Sequence, residues 1–452
     1  MIEKIKKITE EQVQKLLYYG LAVLMFVLPV PQLFLPESDK AVGMQATILA
    51  ISVFYFGFLL LTECLNNRFS LEKGKLPVKC IIGMVLVGVI SVISAEDKML
   101  ALYGSELRGE GFFSLLAYYL IFIGASLLHK EEYHKRILHL FILLGVLVVI
   151  LGVIQYTGIY VFGGRFPGMA YVPMRNPNFY GGFTVLFTGV GIGGFYSYHK
   201  ELEVTHPFSR WNQIIWYVLV IMGYIGCICA RSALVYAGLV MMLLMVLFLA
   251  LVSERRKLFQ FFVLAFGLVA VIYLFDLEKG GGVTAEIKTV GEQIKTEGSV
   301  FGNSVGSGRM LIWKQIVSLM PEYGVLGCGV EHLGSLWIEK WGYSFNGQYV
   351  DKAHNEYLNL WITEGFFALV IYLVFLFSLF IPGLKQFFGR KRKTAEHEKQ
   401  DMISKIAFFA FFGYIAQAFF NISVIQVAPY FWMICGLLYC GKRSVNEETV
   451  DS

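Results

Sequence analysis

Six polar positions stand out against an apolar background: Arg108 in GSELRGEG, Arg165 in GGRFPG, Arg175 in RNPN, Arg231 in ARSAL, Arg309 in GSGR and His354 in AHNEYLNLW. Guanidinium groups bind phosphate oxygens in pairs and stay charged when partly desolvated, so a gathering of arginines is chemistry for an anion. A neutral imidazole can accept a proton from an attacking hydroxyl near neutral pH. The bland alternative for each arginine is a side chain that snorkels to an interface or caps a helix end. For a lone loop histidine it is a satisfied structural role. Five arginines on one face favour anion binding over five separate coincidences. His354 lies beside Asn355 and Glu356 at the expected start of a helix, and both of its readings stay open.

The elements that must hold these residues are membrane helices. The 452 residues are 56% hydrophobic and 16% charged, with a mean hydropathy of +0.62. Soluble domains carry about 25% charge and have no interior large enough for so much apolar surface. Runs of about 20 apolar residues, enough to cross ~30 Å of hydrocarbon, fall near 17–36, 42–64, 80–95, 113–129, 137–157, 179–198, 214–230, 232–252, 258–276, 365–384, 406–422 and 424–440. The expected fold is an all-α polytopic membrane protein of about 12 spans. The first run, from Leu17 to Leu35, is too long for a signal-peptide core and is expected to stay as a helix.

Short segments rich in Lys and Arg, including Lys130–Arg136, Arg255–Lys257 and Arg390–Lys393, alternate with poorer ones. The positive-inside rule then puts both termini in the cytoplasm. It leaves one large extracytoplasmic loop between spans 9 and 10. Three regions follow: 1–276 with spans 1–9, the loop 277–364, and 365–452 with spans 10–12 and a cytoplasmic tail. All six polar positions lie on the outer side. In the loop, Gly280–Gly282 is a flexible lead-in. An amphipathic helix is expected over Ser307–Met320, capped by Ser307 and with Met310, Trp313, Val317 and Met320 on one face. A second short helix is expected to begin near Ala353 and run into the next span.

Other strings carry less. Gly189-x-Gly191-x-x-Gly194 copies a dinucleotide fingerprint, but it lies inside an apolar helix with no strand before it, which reads as close helix packing. The seven cysteines include no CxxC pair, and neither a disulfide framework nor a zinc site is supported. Cys227 and Cys229 read as small apolar packing. No H-E-x-x-H or D-x-D occurs, so no metal site is expected. The modest net charge of +5 argues against a nucleic-acid partner.

The motif stretches resemble the O-antigen ligase and O-antigen polymerase superfamily of bacterial envelope glycosyltransferases. The stretches are RNPNFYGG at 175–182, ARSAL at 230–234, GSGRMLIW at 306–313, GVLGCGV at 324–330, AHNEYL at 353–358 and TEGFF at 363–367, with GSELRGEG at 104–111. The resemblance implies a GT-C-like membrane fold in the bacterial cytoplasmic (inner) membrane. It implies a transferase that takes an oligosaccharide from undecaprenyl diphosphate, a polyprenyl carrier, to an acceptor hydroxyl on the outer side. The transfer is implied to be inverting, metal-independent and free of cofactors. On that footing Arg175, Arg231 and Arg309 hold the diphosphate, Arg108 and Arg165 assist, and His354, with Arg309 beside it, is catalytic as the base. The acceptor is a glycan, a lipid or a cell-wall polymer, and the resemblance does not separate ligase from polymerase. The rival from another class is a lipid-linked oligosaccharide flippase or secondary transporter. Its expected midplane charges and repeated halves are not evident. A scaffold or receptor reading is a third, and would let lysine replace the arginines.

Overall fold

A computed structural model describes residues 5–69, 75–197, 209–252, 257–275, 282–306, 308–343, 345, 347, 349–388 and 395–440. Its elements are all helices. The first expected span is two pieces, α1 (Glu10–Val27) and α2 (Val30–Phe34), divided where Pro29 and Pro31 interrupt the backbone ladder. Then follow α3 (Asp39–Leu65), α4 (Leu76–Ser94), the short α5 (Lys98–Tyr103), α6 (Phe112–Ser126), α7 (Glu131–Tyr156), α8 (Pro177–Ser197), α9 (Ser209–Cys229), α10 (Ala233–Val252) and α11 (Lys257–Phe275). The polar region holds α12 (Gly282–Glu297), α13 (Arg309–Tyr323), α14 (Leu333–Trp341) and α15 (Glu356–Glu364). The chain closes with α16 (Phe366–Lys385), α17 (Ala395–Ala418) and α18 (Ala428–Cys440).

Among the described residues, seven helical stretches are long and apolar enough to cross a bilayer: α1 with α2, then α3, α4, α7, α10, α11 and α16. Shorter apolar helices lie in α6, α9, α17 and α18. Large apolar side chains such as Phe54, Phe259 and Phe266 stand exposed. In water these would be a liability, and in lipid they are the solvent-facing surface. The chain is a multi-pass membrane protein.

Polar side chains fix the helix starts. Thr9 caps α1 reciprocally with Gln12, Ser38 caps α3, and Asp97 accepts from two amides at the head of α5. At the centre lie α8 and α18, whose described side chains are buried almost without exception. Small residues let them approach their neighbours. A Cβ on Gly189 would fall 2.5 Å from the Ala410 Cα, and one on Gly194 would fall 2.1 Å from the Trp216 ring. The fingerprint-like glycines are therefore a packing seam.

The polar region departs from expectation in three places. The helix expected over Ser307–Met320 starts at Arg309, with Gly308 at its cap position in a left-handed conformation. It buries Ile312, Ile316 and Leu319, with Trp313 and Met320 at the edges, while Val317 is exposed. The buried face meets Leu333, Leu336 and Trp337 of α14 and Ile362 of α15, so this packing sets its orientation. The helix near Ala353 begins at Glu356, and it does not run on into the next span. Gly365 breaks the chain at φ +92°, and a Cβ there would meet the Val325 carbonyl oxygen at 2.2 Å. The amides of Cys328 and Gly329 donate to the carbonyls of Ile362 and Thr363, satisfying the end of α15. The last two apolar runs also stop short of each other, because residues 419–427 form a turn between α17 and α18. Ser307, Gly280, Gly281, the basic residues Arg255, Arg256 and Arg390–Lys393, and the tail beyond 440 lie outside the described residues.

Candidate active site

The segment from Val350 to Asn355 joins α14 to α15 and is held at both ends. Ala353 donates its amide to Asn359 Oδ1 (3.1 Å) and accepts from Trp313 Nε1 at its carbonyl (2.9 Å). Asn355 caps α15 through the Leu358 amide (3.0 Å). Between them His354 sits at φ +50°. A non-glycine residue rarely adopts that conformation, and where it does the surroundings must hold it there. The six such residues among those described are Glu37, Asn67, Arg175, Arg231, Glu331 and His354. Three of them are positions that the sequence marks for anion or proton chemistry, and strain therefore concentrates where the chemistry was expected.

A cavity of about 500 Å³ opens against this segment. That is within the ordinary range of a small-ligand site. Arg108, Arg165, Arg175, Asp351 and His354 line it, with Phe179 and Tyr349 as apolar wall. The Arg108 guanidinium forms a two-point pair with Asp351 (2.6 and 3.0 Å) and lies 5.8 Å from the Phe179 ring. Buried Arg175 donates to the Leu107 carbonyl (2.8 Å) and pairs with Asp39. Arg165 is exposed, its guanidinium 5.4 Å from the Phe166 ring, and its amide donates to Glu37 and to the Tyr171 hydroxyl. A guanidinium has five N–H groups, so these pairs fix the side chains of Arg108 and Arg175 and leave donors over for a ligand.

Two expected residues are placed differently. Arg309 stands at the head of α13, donates to the Gly306 carbonyl (3.2 Å) and acts electrostatically on His354, but it is not in the cavity wall. Arg231, between α9 and α10, reaches towards Gly168, where an added Cβ would lie 3.9 Å from its Nη1. It too is outside the wall. Of the trio expected to hold the diphosphate, Arg175 alone lines the cavity. The two expected assistants, Arg108 and Arg165, line it beside Arg175.

The two histidines of this region differ in kind. His332 has both ring nitrogens engaged: Nδ1 lies 2.7 Å from the Val330 carbonyl oxygen, and Nε2 accepts from the Asp97 amide (3.0 Å). It is a structural residue. The His354 ring has no hydrogen-bond partner among the described residues and lines the cavity. Burial pushes its pKa down to about 4, helped by the charges of Arg309 and Arg108 and opposed by Asp351. His354 is therefore neutral at physiological pH and has a free lone pair. Asp351 is raised by burial but lowered more by Arg108, and the net is a carboxylate below its usual range.

Behind the same segment lies an ionic cluster that the sequence reading passed over. Buried Lys352 pairs with Glu110 (3.1 Å) and with Glu331, which also accepts from the amide and hydroxyl of Ser105 (3.2 and 2.9 Å). Glu356 accepts from the hydroxyls of Tyr372 (2.6 Å) and Tyr414 (3.2 Å). The signal was present, since Glu110, Glu331, Glu356 and Glu364 fall within or directly after the motif stretches. A polar residue kept beside a membrane helix is rarely there without a partner.

Comparison with known proteins adds one finding. Residues 217–373 match the family model described as O-antigen ligase. The matched region contains Arg231, Arg309, Lys352, His354, Glu356 and Glu364, while Arg108, Arg165 and Arg175 precede it. No curated protein matches the chain. Over residues 217–373 the chain is thus similar to the O-antigen ligase family, which supports the O-antigen ligase and polymerase superfamily that its motifs resemble.

Proposed function

We propose that the protein is a glycosyltransferase that moves an oligosaccharide from undecaprenyl diphosphate to an acceptor hydroxyl, without a metal and with inversion at the anomeric carbon. The observation that carries this reading is a single cavity in which a neutral, unbonded His354 faces three arginines. The acceptor oxygen gives its proton to the imidazole and attacks the anomeric carbon. The sugar–phosphate C–O bond breaks with its electron pair going to the diphosphate. Arg108, Arg165 and Arg175 oppose the charge that develops there, which is how a preorganised cationic wall lowers a barrier. Arg309 acts on the same site through the field at His354.

In this reading the twelve apolar stretches are spans of the bacterial cytoplasmic membrane, both termini are cytoplasmic, and residues 277–364 form the large outer loop. The test is purified protein supplied with a polyprenyl-diphosphate oligosaccharide and candidate acceptors in liposomes, with release of polyprenyl diphosphate as the readout. Wild type turns over, folded His354→Ala does not, and Arg309→Lys, which keeps the charge that acts on His354, retains most of the rate. A ladder of glycan lengths identifies a polymerase, and a single addition a ligase. A fully active His354→Ala variant rejects the assignment of the base.

A further inference from the structure

A second, smaller cavity of about 70 Å³ lies on the other face of the 350–356 segment. It has room for several waters. Residues of the segment divide between the two spaces: Asp351 and His354 line the first, and Lys352 and Glu356 line the second. Four carboxylates (Glu110, Glu331, Glu356 and Glu364) share this second space with one ammonium, Lys352. Lys352 is committed to Glu110 and Glu331. Glu356 receives only neutral tyrosine hydroxyls. Glu364, 6% exposed, has no hydrogen bond or ion pair among the described residues.

An isolated buried carboxylate is too costly to persist, so it must gain a cation or a proton. A metal ion needs several converging oxygens. The nearby ones are committed, since Asn359 Oδ1 accepts from the Ala353 amide and the Thr363 hydroxyl donates to the Asn359 carbonyl. Glu356 and Glu364 lie eight residues apart on α15, about 12 Å along its axis, too far to share one ion. Asn359 and Thr363 fall between them on the cavity wall.

We propose that this cavity is a proton-binding site, with Glu364 and Glu356 held as carboxylic acids, and that filling the anion pocket across the segment draws a proton into it. The coupling rests on the reading of the arginine cavity as a diphosphate site; the proton site does not. The groups facing Glu356 are Tyr372 and Tyr414 as donors, with Glu110, Lys352, Tyr357 and the Cys435 thiol around them. Those facing Glu364 are Lys352, Glu110 and Tyr119. Burial is the chief influence on both carboxyls and pushes each up to about 7. An added anion next to the segment favours the neutral acids further.

Infrared titration of the ligand-free protein in detergent tests the site directly. A carboxylic-acid carbonyl band is expected to vanish as pH rises through about 7, and to lose part of its amplitude in Glu364→Gln and in Glu356→Gln. No such band one unit below that pH, or a titration that sodium displaces, overturns the proposal. The second arm is binding of inorganic sulfate, whose own charge is fixed across the neutral range. Its affinity should fall at least about tenfold over the same range, the fall expected of even one unit charge about 10 Å away at an effective dielectric of about 20. Glu364→Gln should flatten that dependence. Sulfate binding that is independent of pH overturns the coupling and leaves the anion pocket standing. If sulfate does not bind, the anion pocket and the coupling both fall, and the infrared band alone decides the proton site.

Discussion

Two cavities share one wall in this protein and use opposite charge logic. The larger one collects guanidiniums and pairs two of them with carboxylates, Asp351 and Asp39, so that each of those two cations is fixed and still has donors to give. The smaller one collects carboxylates and supplies a single ammonium, which satisfies two of the four. An excess of arginine can wait for a ligand, because a guanidinium stays charged whatever surrounds it. An excess of buried carboxylate must instead respond by protonation. In the proposed reading the larger cavity meets an anion and the smaller one exchanges protons.

The largest expected effect is at the histidine of the arginine cavity. His354→Ala, and His354→Asn, which tolerates the left-handed backbone, should each lower transfer by about 10²- to 10⁴-fold while thermal unfolding stays close to wild type. Full activity in either variant removes the contrast between a working His354 and a structural His332. On the carboxylate side, Lys352→Met should weaken the fold. It strands Glu110 and Glu331 without a cation, at a cost of about 3–5 kcal/mol, read as a fall in unfolding temperature. Adding Glu110→Gln and Glu331→Gln should recover much of the loss, and failure to do so would mean that the lysine matters for packing alone. Arg175→Lys comes next. It keeps the charge and loses the two-point geometry, and transfer should drop on the order of 10- to 100-fold, the worth of one or two hydrogen bonds to a charged group.

The pH dependence of stability sharpens the same contrast, with a limb from each cavity. His354 has a folded pKa of about 4, below the ordinary value of about 6.5. Its contribution is therefore present above about 6.5 and lost as pH falls towards 4. Glu356 and Glu364, raised to about 7 from an ordinary value of about 4.3, contribute the opposite way. Their stabilisation is complete below the ordinary value and lost as pH rises through 7. Unfolding temperature should pass through a maximum between those limits. His354→Ala should flatten the acid limb, and Glu364→Gln the alkaline one. A profile unmoved by Glu364→Gln would deny the carboxylate cavity its titration. The smallest effect lies on α13, where exposed Val317→Asn should change stability by less than about 0.5 kcal/mol and buried Ile316→Ala should cost about 2–5 kcal/mol.

The apolar helices were legible because lipid admits few alternatives: a run of apolar residues must close its own backbone hydrogen bonds. The candidate site was legible residue by residue, since arginines and a histidine at helix ends are conspicuous there. Their partners were not. Asp39 meets Arg175, and Asp351 meets Arg108, across more than a hundred residues of chain each, and no local pattern records such a meeting. The face of α13 was misread at Val317 because the neighbours that bury Ile312 and Ile316 come from α14 and α15. Glu356 and Glu364 were passed over for a different reason. Each reads as an ordinary helix-end acid until the tyrosines of α16 and α17 and the wall of the smaller cavity are in place.

The segment between the cavities serves both, with Val350, Asp351 and His354 on one side and Lys352 and Glu356 on the other. Insertion or loss of a single residue there would displace groups of both spaces at once. Most loops tolerate changes of length. This one is expected to drift in residue type but hold its length, because the two cavities draw their groups from interleaved positions of a single stretch of chain.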